Sequence, residues 1–186
     1  MSVAYTFGFR KGELLCEMKV DQLDCETRTI RLDPGTTKNN QGRVVVMTGE
    51  VYDLLRACVE GKGPDDFVFT RKDGNVVRNF RGAWYALCVK AGLGRFVKRE
   101  GKRPKWEGLI FHDLRRSAVR NMVRRGVSET VAMRISGHKT RDVFARYNIT
   151  SVADLADAAR LIERGKNAKI LRFPETNGSE LATGSE

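Results

Sequence analysis

Two histidines, four tyrosines and an excess of lysine and arginine set the chemistry open to this chain of 186 residues. The stretch "SGHKTRDVFARYN", residues 136–148, carries His138 and, nine residues later, Tyr147, with Arg141 and Arg146 between them. The other histidine opens "HDLRR", where His112 stands three residues before Arg115. A phenol has an ordinary pKa of about 10, so it attacks only with help from a base or a strong local positive charge. An imidazole can be that base, and a guanidinium offers a planar fork shaped for phosphate oxygens. Together the three groups would suit attack on a phosphate, if the fold brings them to one place.

Each residue also has a plainer reading. Val143, Phe144 and Tyr147 have the i, i+1, i+4 spacing of a core stripe, and spacing alone favours a buried structural tyrosine. On a helix beginning near His112, at ~100° per residue, Leu114, Ala118, Met122, Val119 and Val123 form an apolar arc. Arg116, Arg120 and Arg124 form a solvated ladder outside it, whereas Arg115 falls in its middle and His112 lies on the same side. An arginine on a core face is unfavourable unless a partner or an anion waits there. A structural ion pair with Asp113 or Glu13 and a guanidinium aimed at a phosphate both satisfy that condition, and periodicity leaves both open. Arg10, just after Gly8-Phe9, and Lys38, at an expected hairpin tip, are equally ambiguous by themselves.

The elements that must position these residues follow from local pattern. A helix end, a turn at Gly8 and a second short helix are expected over "VAYTFGFRKGELLCEM". Strand-like runs at 28–32 and 43–47 flank a polar loop and predict a β-hairpin with a long tip. A helix then starts at Thr48 with Val51, Leu54, Leu55 and Cys58 inward; "FVF" at 67–69 is expected as a short buried strand. The next helix is expected to bury Phe80, Trp84, Leu87 and Val89. Residues 94–107, basic and holding Gly and Pro, read as a mobile loop. Beyond the helix at His112, Ser128 caps a short helix that Gly137 ends, and further helices are expected at 140–147 and 151–165. The tail from 166 to 186 is polar and expected to be loose. The fold class is mainly α with one small antiparallel β-sheet (α+β).

Totals narrow the function classes. No apolar run approaches the roughly 20 residues that span a bilayer, and no secretory leader pattern opens the sequence. Cys16, Cys25, Cys58 and Cys88 make no C-x-x-C pair, so free buried thiols in a reducing cytoplasm are expected rather than a zinc site. The net charge of +11 is concentrated. Residues 95–146 hold 15 basic and 5 acidic residues, against 14 and 12 in residues 1–94 and 5 and 6 in residues 147–186. A basic excess gathered in one segment reads as a surface for a polyanion, against the alternative of a solvated face without a partner.

Taken in order, "GFRKGEL", "TK" in a hairpin, "HDLRR", "SGH" and then "RYN" resemble the tyrosine site-specific recombinases, the phage integrase family, from about Tyr5 to Ile149. The resemblance implies the catalytic-domain fold of that family over 1–165. It implies that Arg10 and Arg115 are the two catalytic arginines, Lys38 the hairpin lysine, and His112 and His138 the two histidines. Tyr147 matches the nucleophile, and Glu13 an acidic position that supports the site without reacting. Arg116, Arg120, Arg124, Lys139 and Arg141 are then expected against the DNA backbone. The implied activity is cleavage and rejoining of double-stranded DNA through a 3′-phosphotyrosyl bond. That bond keeps the phosphodiester's energy, so neither ATP, metal nor other cofactor is expected, in keeping with a sequence lacking G-x-x-x-x-G-K-[ST]. A homotetramer on two duplexes is implied, in the cytoplasm at the nucleoid, with no membrane role. The helix at 151–165 is a candidate to dock on a neighbouring subunit through Val152, Leu155, Ala158, Ala159 and Ile162, or to pack on its own domain. Family members have further helices and a DNA-clamping domain before the first arginine, so the chain is expected to be N-terminally short. A truncated fragment that binds without cutting, and topoisomerase-like relaxation, are the competing readings.

Overall fold

A computed structural model describes residues 1–35 and 42–166. The expected hairpin lysine, Lys38, and the tail beyond Lys166 lie outside the described residues. The chain divides into two units, Met1–Ile149 and Thr150–Glu186.

The first unit opens with α1, Ser2–Phe7, which stops at Gly8, and continues through a π-helical turn at Gly12–Cys16. A three-stranded antiparallel sheet follows: β1 (Leu23–Asp24), β2 (Thr29–Leu32) and β3 (Arg43–Val46), in that spatial order. The register pairs Ile30 with Val45 and Leu32 with Arg43. Side chains alternate across a strand, so Ile30, Leu32 and Val45 are buried while Val44 and Val46 face outward. Helix α2, Gly49–Val59, starts after Thr48 as expected and buries Val51 and Leu55 on the sheet's apolar side. "FVF" forms no full strand; Phe67 makes an isolated bridge to Lys19, and only Val68 is fully buried.

Three expectations are corrected here. Helix α3, Arg81–Lys90, buries Trp84 and Cys88, whereas Leu87 and Val89 are 43% and 49% exposed. The reason is a polar anchor: the Trp84 indole donates to the Leu109 carbonyl at 2.9 Å, and the Cys88 thiol points at the same oxygen. The four cysteines are free, but Cys88 is buried and Cys25 exposed, so the expectation of uniformly buried thiols does not hold. Residues 94–107 are no loop. They form an antiparallel ribbon of β4 (Gly94–Arg99) and β5 (Lys102–Gly108), turned at Gly101. Apolar alternation is weak there, and the pairing is held at its root by aromatic contacts with α3 that local pattern does not reveal.

Helix α4, Phe111–Arg124, then crosses to α1 and α5. Its buried face carries Ala118, Val119 and Met122, as the helical arc predicts, with Arg115 buried among them. Helices α5 (Glu129–Ser136) and α6 (Arg141–Ala145) close a second, smaller core of Val119, Met122, Ala132 and Phe144. Tyr147 packs on that core just beyond α6, while Val143, its expected stripe partner, is exposed. The described part of the second unit is α7, Val152–Lys166, whose Val152, Leu155, Leu161 and Ile162 are exposed. Among the described residues no helix is long and apolar enough to cross a membrane.

Candidate functional site

Arg115 is the centre of the site and one of the most buried side chains in the molecule, at 2% exposure. Its guanidinium donates to the backbone carbonyls of Gly8 and Ser136 and, at 3.1 Å, to Nε2 of His138. Neither expected carboxylate partner holds it. Asp113 is occupied at the start of α4, where it accepts from the Ile110 N–H at 2.9 Å and from Arg116. Glu13 is occupied by two other arginines. Burial, then the positive charge of Arg10, pushes the Arg115 pKa down to about 10, which leaves it charged at neutral pH.

Glu13, 2% exposed, is gripped from both sides. Arg10 donates through Nη1 at 2.8 Å and through its backbone N–H at 2.9 Å, and Arg43 donates through Nη2 at 2.8 Å. Burial pushes the Glu13 carboxyl up, but the bonds from Arg43 and Arg10 outweigh it and hold the pKa below the ordinary value. Arg10 also reaches the Gly137 carbonyl at 3.4 Å, so the αL turn that ends α5 faces the site.

Arg43 was missed by sequence reasoning. Its side chain is 6% exposed, its Nε donates to the Ile135 carbonyl at 3.0 Å, and its guanidinium lies over the Phe9 ring. A usable signal existed: in "RVVV" at 43–46, period-2 alternation puts Arg43 on the same face as the buried Val45. Gly137 makes this placement possible. A Cβ there would lie 2.7 Å from Arg43 Nη1, and its φ of +71° is one that residues with a Cβ rarely adopt. Gly137→Ala is therefore expected to destabilise the protein by about 2 kcal/mol in urea denaturation, combining backbone strain with displacement of Arg43. Gly82→Ala, in open space on α3, should be near neutral or stabilising in the same measurement.

The two histidines have different surroundings. Ser136 Oγ donates to the Ala132 carbonyl at 2.6 Å and thus accepts from His138 Nδ1 at 2.7 Å. Nε2 of His138 must then be the unprotonated nitrogen that accepts from Arg115. A second proton would set N–H against N–H. Accordingly burial first, and Arg115 second, push the His138 pKa down to about 3. His112 is more exposed, and its Nε2 lies 2.7 Å from the Tyr147 hydroxyl. Burial, then Arg115, lowers its pKa too, which favours the neutral ring. With its proton on Nδ1, that ring accepts the hydroxyl hydrogen of Tyr147. The Tyr147 ring rests against His138 at 4.7 Å between centroids, with the Arg115 guanidinium 5.9 Å from its centre.

The structure thus brings Arg10, Glu13, His112, Arg115, His138 and Tyr147 to one place. Arg116, Arg120, Arg124, Lys139 and Arg141 are exposed, the first three on the outer side of α4 and the other two around the start of α6. Three guanidiniums stand around one buried carboxylate: Arg10 and Arg43 share Glu13, and the bonds of Arg115 go to carbonyls and an imidazole. The surplus of positive charge suits an anion, and the phenol beside it suits nucleophilic attack on that anion.

The family model described as "Phage integrase family" matches residues 1–153. A Probable integrase/recombinase protein of Methanocaldococcus jannaschii is 26% identical over 143 residues, which are 75% of this chain and 41% of the relative. Tyrosine recombinase XerA of Saccharolobus solfataricus is 30% identical over 132 residues, which are 71% of this chain and 38% of the relative. The chain therefore spans about two fifths of the length of these curated relatives. Among solved structures, a XerA recombinase superposes with a TM-score of 0.67 at 21% identity, over 87% of this chain and 56% of that one. A Tn1549 transposon integrase in complex with a circular intermediate DNA superposes with a TM-score of 0.65 at 19% identity, over 87% and 56%. The fold is that of tyrosine recombinase catalytic domains; the family-model match reaches from the first residue past Tyr147, and on that match the chain belongs to the phage integrase family of tyrosine recombinases.

Proposed function

We propose that this chain is the catalytic portion of a site-specific recombinase that cuts and rejoins DNA through a covalent link to Tyr147. The observation that carries this reading is the 2.7 Å contact between His112 Nε2 and the Tyr147 hydroxyl, beside the buried guanidinium of Arg115. In the forward step Tyr147 Oη attacks the phosphorus and its proton passes to His112 Nε2. The bond from phosphorus to the 5′-oxygen breaks, and that oxygen takes a proton from a general acid, the role the family resemblance gives to Lys38. One P–O bond forms and one breaks, so the reverse reaction reseals DNA without an added energy source. Arg10 and Arg115 stabilise the charge of the pentacoordinate transition state. With both ring nitrogens bonded, His138 acts through its hold on Arg115 and its packing on Tyr147. Glu13 fixes Arg10. The DNA complexes of the Tn1549 integrase support DNA as the substrate, and the exposed Arg116, Arg120, Arg124, Lys139 and Arg141 would meet its backbone. Assembly as a tetramer on two duplexes, with the exposed apolar side of α7 docking on a neighbour, belongs to the same reading.

A nicked duplex that traps the covalent product tests it. Wild-type protein is expected to form a protein–DNA adduct that is absent in Tyr147→Phe. DNA binding without an adduct would overturn the proposal in favour of a non-cutting fragment. Relaxation of supercoils without recombinants would favour the topoisomerase-like reading.

A further inference from the structure

The β4–β5 ribbon holds a basic cluster apart from the residues of the reacting site. Residues 94–108 carry Arg95, Lys98, Arg99, Lys102, Arg103 and Lys105 against Glu100 and Glu107 only, and all of these are exposed. Lys105 is paired with Glu107 near the root, so the surplus charge gathers toward the turn at Gly101. A hairpin that merely connected α3 to α4 would have no need of a built root, and this root is built. Phe96 stands opposite Trp106, and Tyr85 of α3 stacks on Trp106 at 4.3 Å. The Trp106 indole donates to the Leu109 carbonyl at 3.3 Å, the oxygen that also anchors Trp84. Gly94 is required by close approach: a Cβ there would lie 2.4 Å from the Trp106 ring. At ~3.3 Å per residue the six residues of β4 extend the ribbon roughly 20 Å from this clamp. Duplex DNA presents about one phosphate charge per 1.7 Å of its axis, so an arm of that length carrying several exposed cations can meet several phosphates at once.

We propose that the β4–β5 ribbon is a second duplex-DNA contact, binding backbone phosphates through Lys98, Lys102 and Arg103 away from the phosphate that reacts. The assignment rests on the reading of the chain as a DNA-acting protein. Its test is binding to a mixed-sequence duplex of about 40 base pairs as salt is raised from about 50 to 200 mM, where each phosphate contact contributes roughly 0.9 to the slope. The triple substitution Lys98→Ala, Lys102→Ala, Arg103→Ala leaves the aromatic root intact. It is expected to lower the slope by about 2–3 and to weaken low-salt binding roughly 100-fold. Arg56→Ala, Lys72→Ala and Lys90→Ala together, all exposed and outside the ribbon, should change the slope far less. Gly94→Ala is expected to lose the ribbon's share with every tip charge present, because Trp106 can no longer seat. An unchanged slope in the tip variant, an equal loss in the control triple, or a full slope in Gly94→Ala overturns the ribbon assignment. If the wild type binds the duplex and forms the tyrosyl adduct while the tip variant keeps its slope, the ribbon assignment alone falls. If the wild type binds no duplex, the functional reading falls with it.

Discussion

Replacing Arg115 with alanine is expected to abolish cutting and to remove about 3–5 kcal/mol of folding stability. The stability loss follows from what the guanidinium leaves behind. The carbonyls of Gly8 and Ser136 and Nε2 of His138 lose their donor in a buried site, and a cavity opens between α1, α4 and α5. For a domain of this size that is a fall of roughly 10 °C in Tm, read by thermal denaturation. Catalytic loss is separable from unfolding through Arg115→Lys. Lysine keeps the charge but cannot fork to two carbonyls and an imidazole, so a largely folded protein with adduct formation down at least about 100-fold is expected. Arg120→Ala is the counterpart on the exposed side of the same helix. It should weaken DNA binding while leaving stability within about 0.5 kcal/mol and the adduct chemistry intact. Equal damage from Arg115→Ala and Arg120→Ala would undo the division of α4 into a buried reacting face and an exposed backbone-contacting one.

The second large effect is acid lability. His138 is held neutral, with its pKa pushed down to about 3 from an ordinary 6.5. Below pH 6.5 the unfolded chain takes up a proton at this ring and the folded one does not. Its contribution is therefore fully present above about pH 6.5, is lost as pH falls, and stops changing below about pH 3. The slope in between approaches ~1.4 kcal/mol per pH unit, so about 2 kcal/mol disappears between pH 6.5 and 5. Glu13 acts in the same direction at lower pH. Its depressed carboxyl stabilises the fold above the ordinary value of 4.5, and that contribution is lost as pH falls toward the folded value. Urea denaturation at pH 7.5 and pH 5 reads the first effect. His138→Gln should be less stable than wild type at pH 7.5, because Arg115 loses its acceptor geometry, yet its stability should change by about 2 kcal/mol less between the two pH values. An unaltered pH dependence would remove His138 as the titrating group and point to His112, the other histidine in the chain.

Much of the helical frame was legible because the signals that set it are local. Ser128 before α5, Gly137 after it and the apolar arc of α4 each depend on residues within a turn or two. The misplaced side of α3 shows where that logic stops. Leu87 and Val89 are as apolar as any core residue, but hydrogen bonds from Trp84 and Cys88 to a carbonyl some 20 residues away decide which side turns inward. The β4–β5 ribbon escaped for a related reason. Its pairing is stabilised by Tyr85, an aromatic residue on another element, and its own composition reads as a charged loop. Arg43 had a local signal in strand alternation, but nothing in the sequence tells that its partners are Glu13 and the Ile135 carbonyl, 30 and 92 residues away.

The sequence by itself determined the kinds of groups available, their order, and the one anomaly that marks the site: a guanidinium on the apolar face of a helix. These are properties of residue type and of helical period, and neither depends on distant contacts. Only the tertiary structure decided what Arg115 touches, that Arg43 shares Glu13 with Arg10, and that His112 meets Tyr147 across 35 residues. Those pairings depend on how α1, β3, α4 and α5 pack, and packing is a sum over many distant contacts that no single stretch encodes. For the same reason the spacing of Tyr147 alone could not tell what surrounds its hydroxyl. The residue packs on the second core, and that packing is what holds its hydroxyl 2.7 Å from His112.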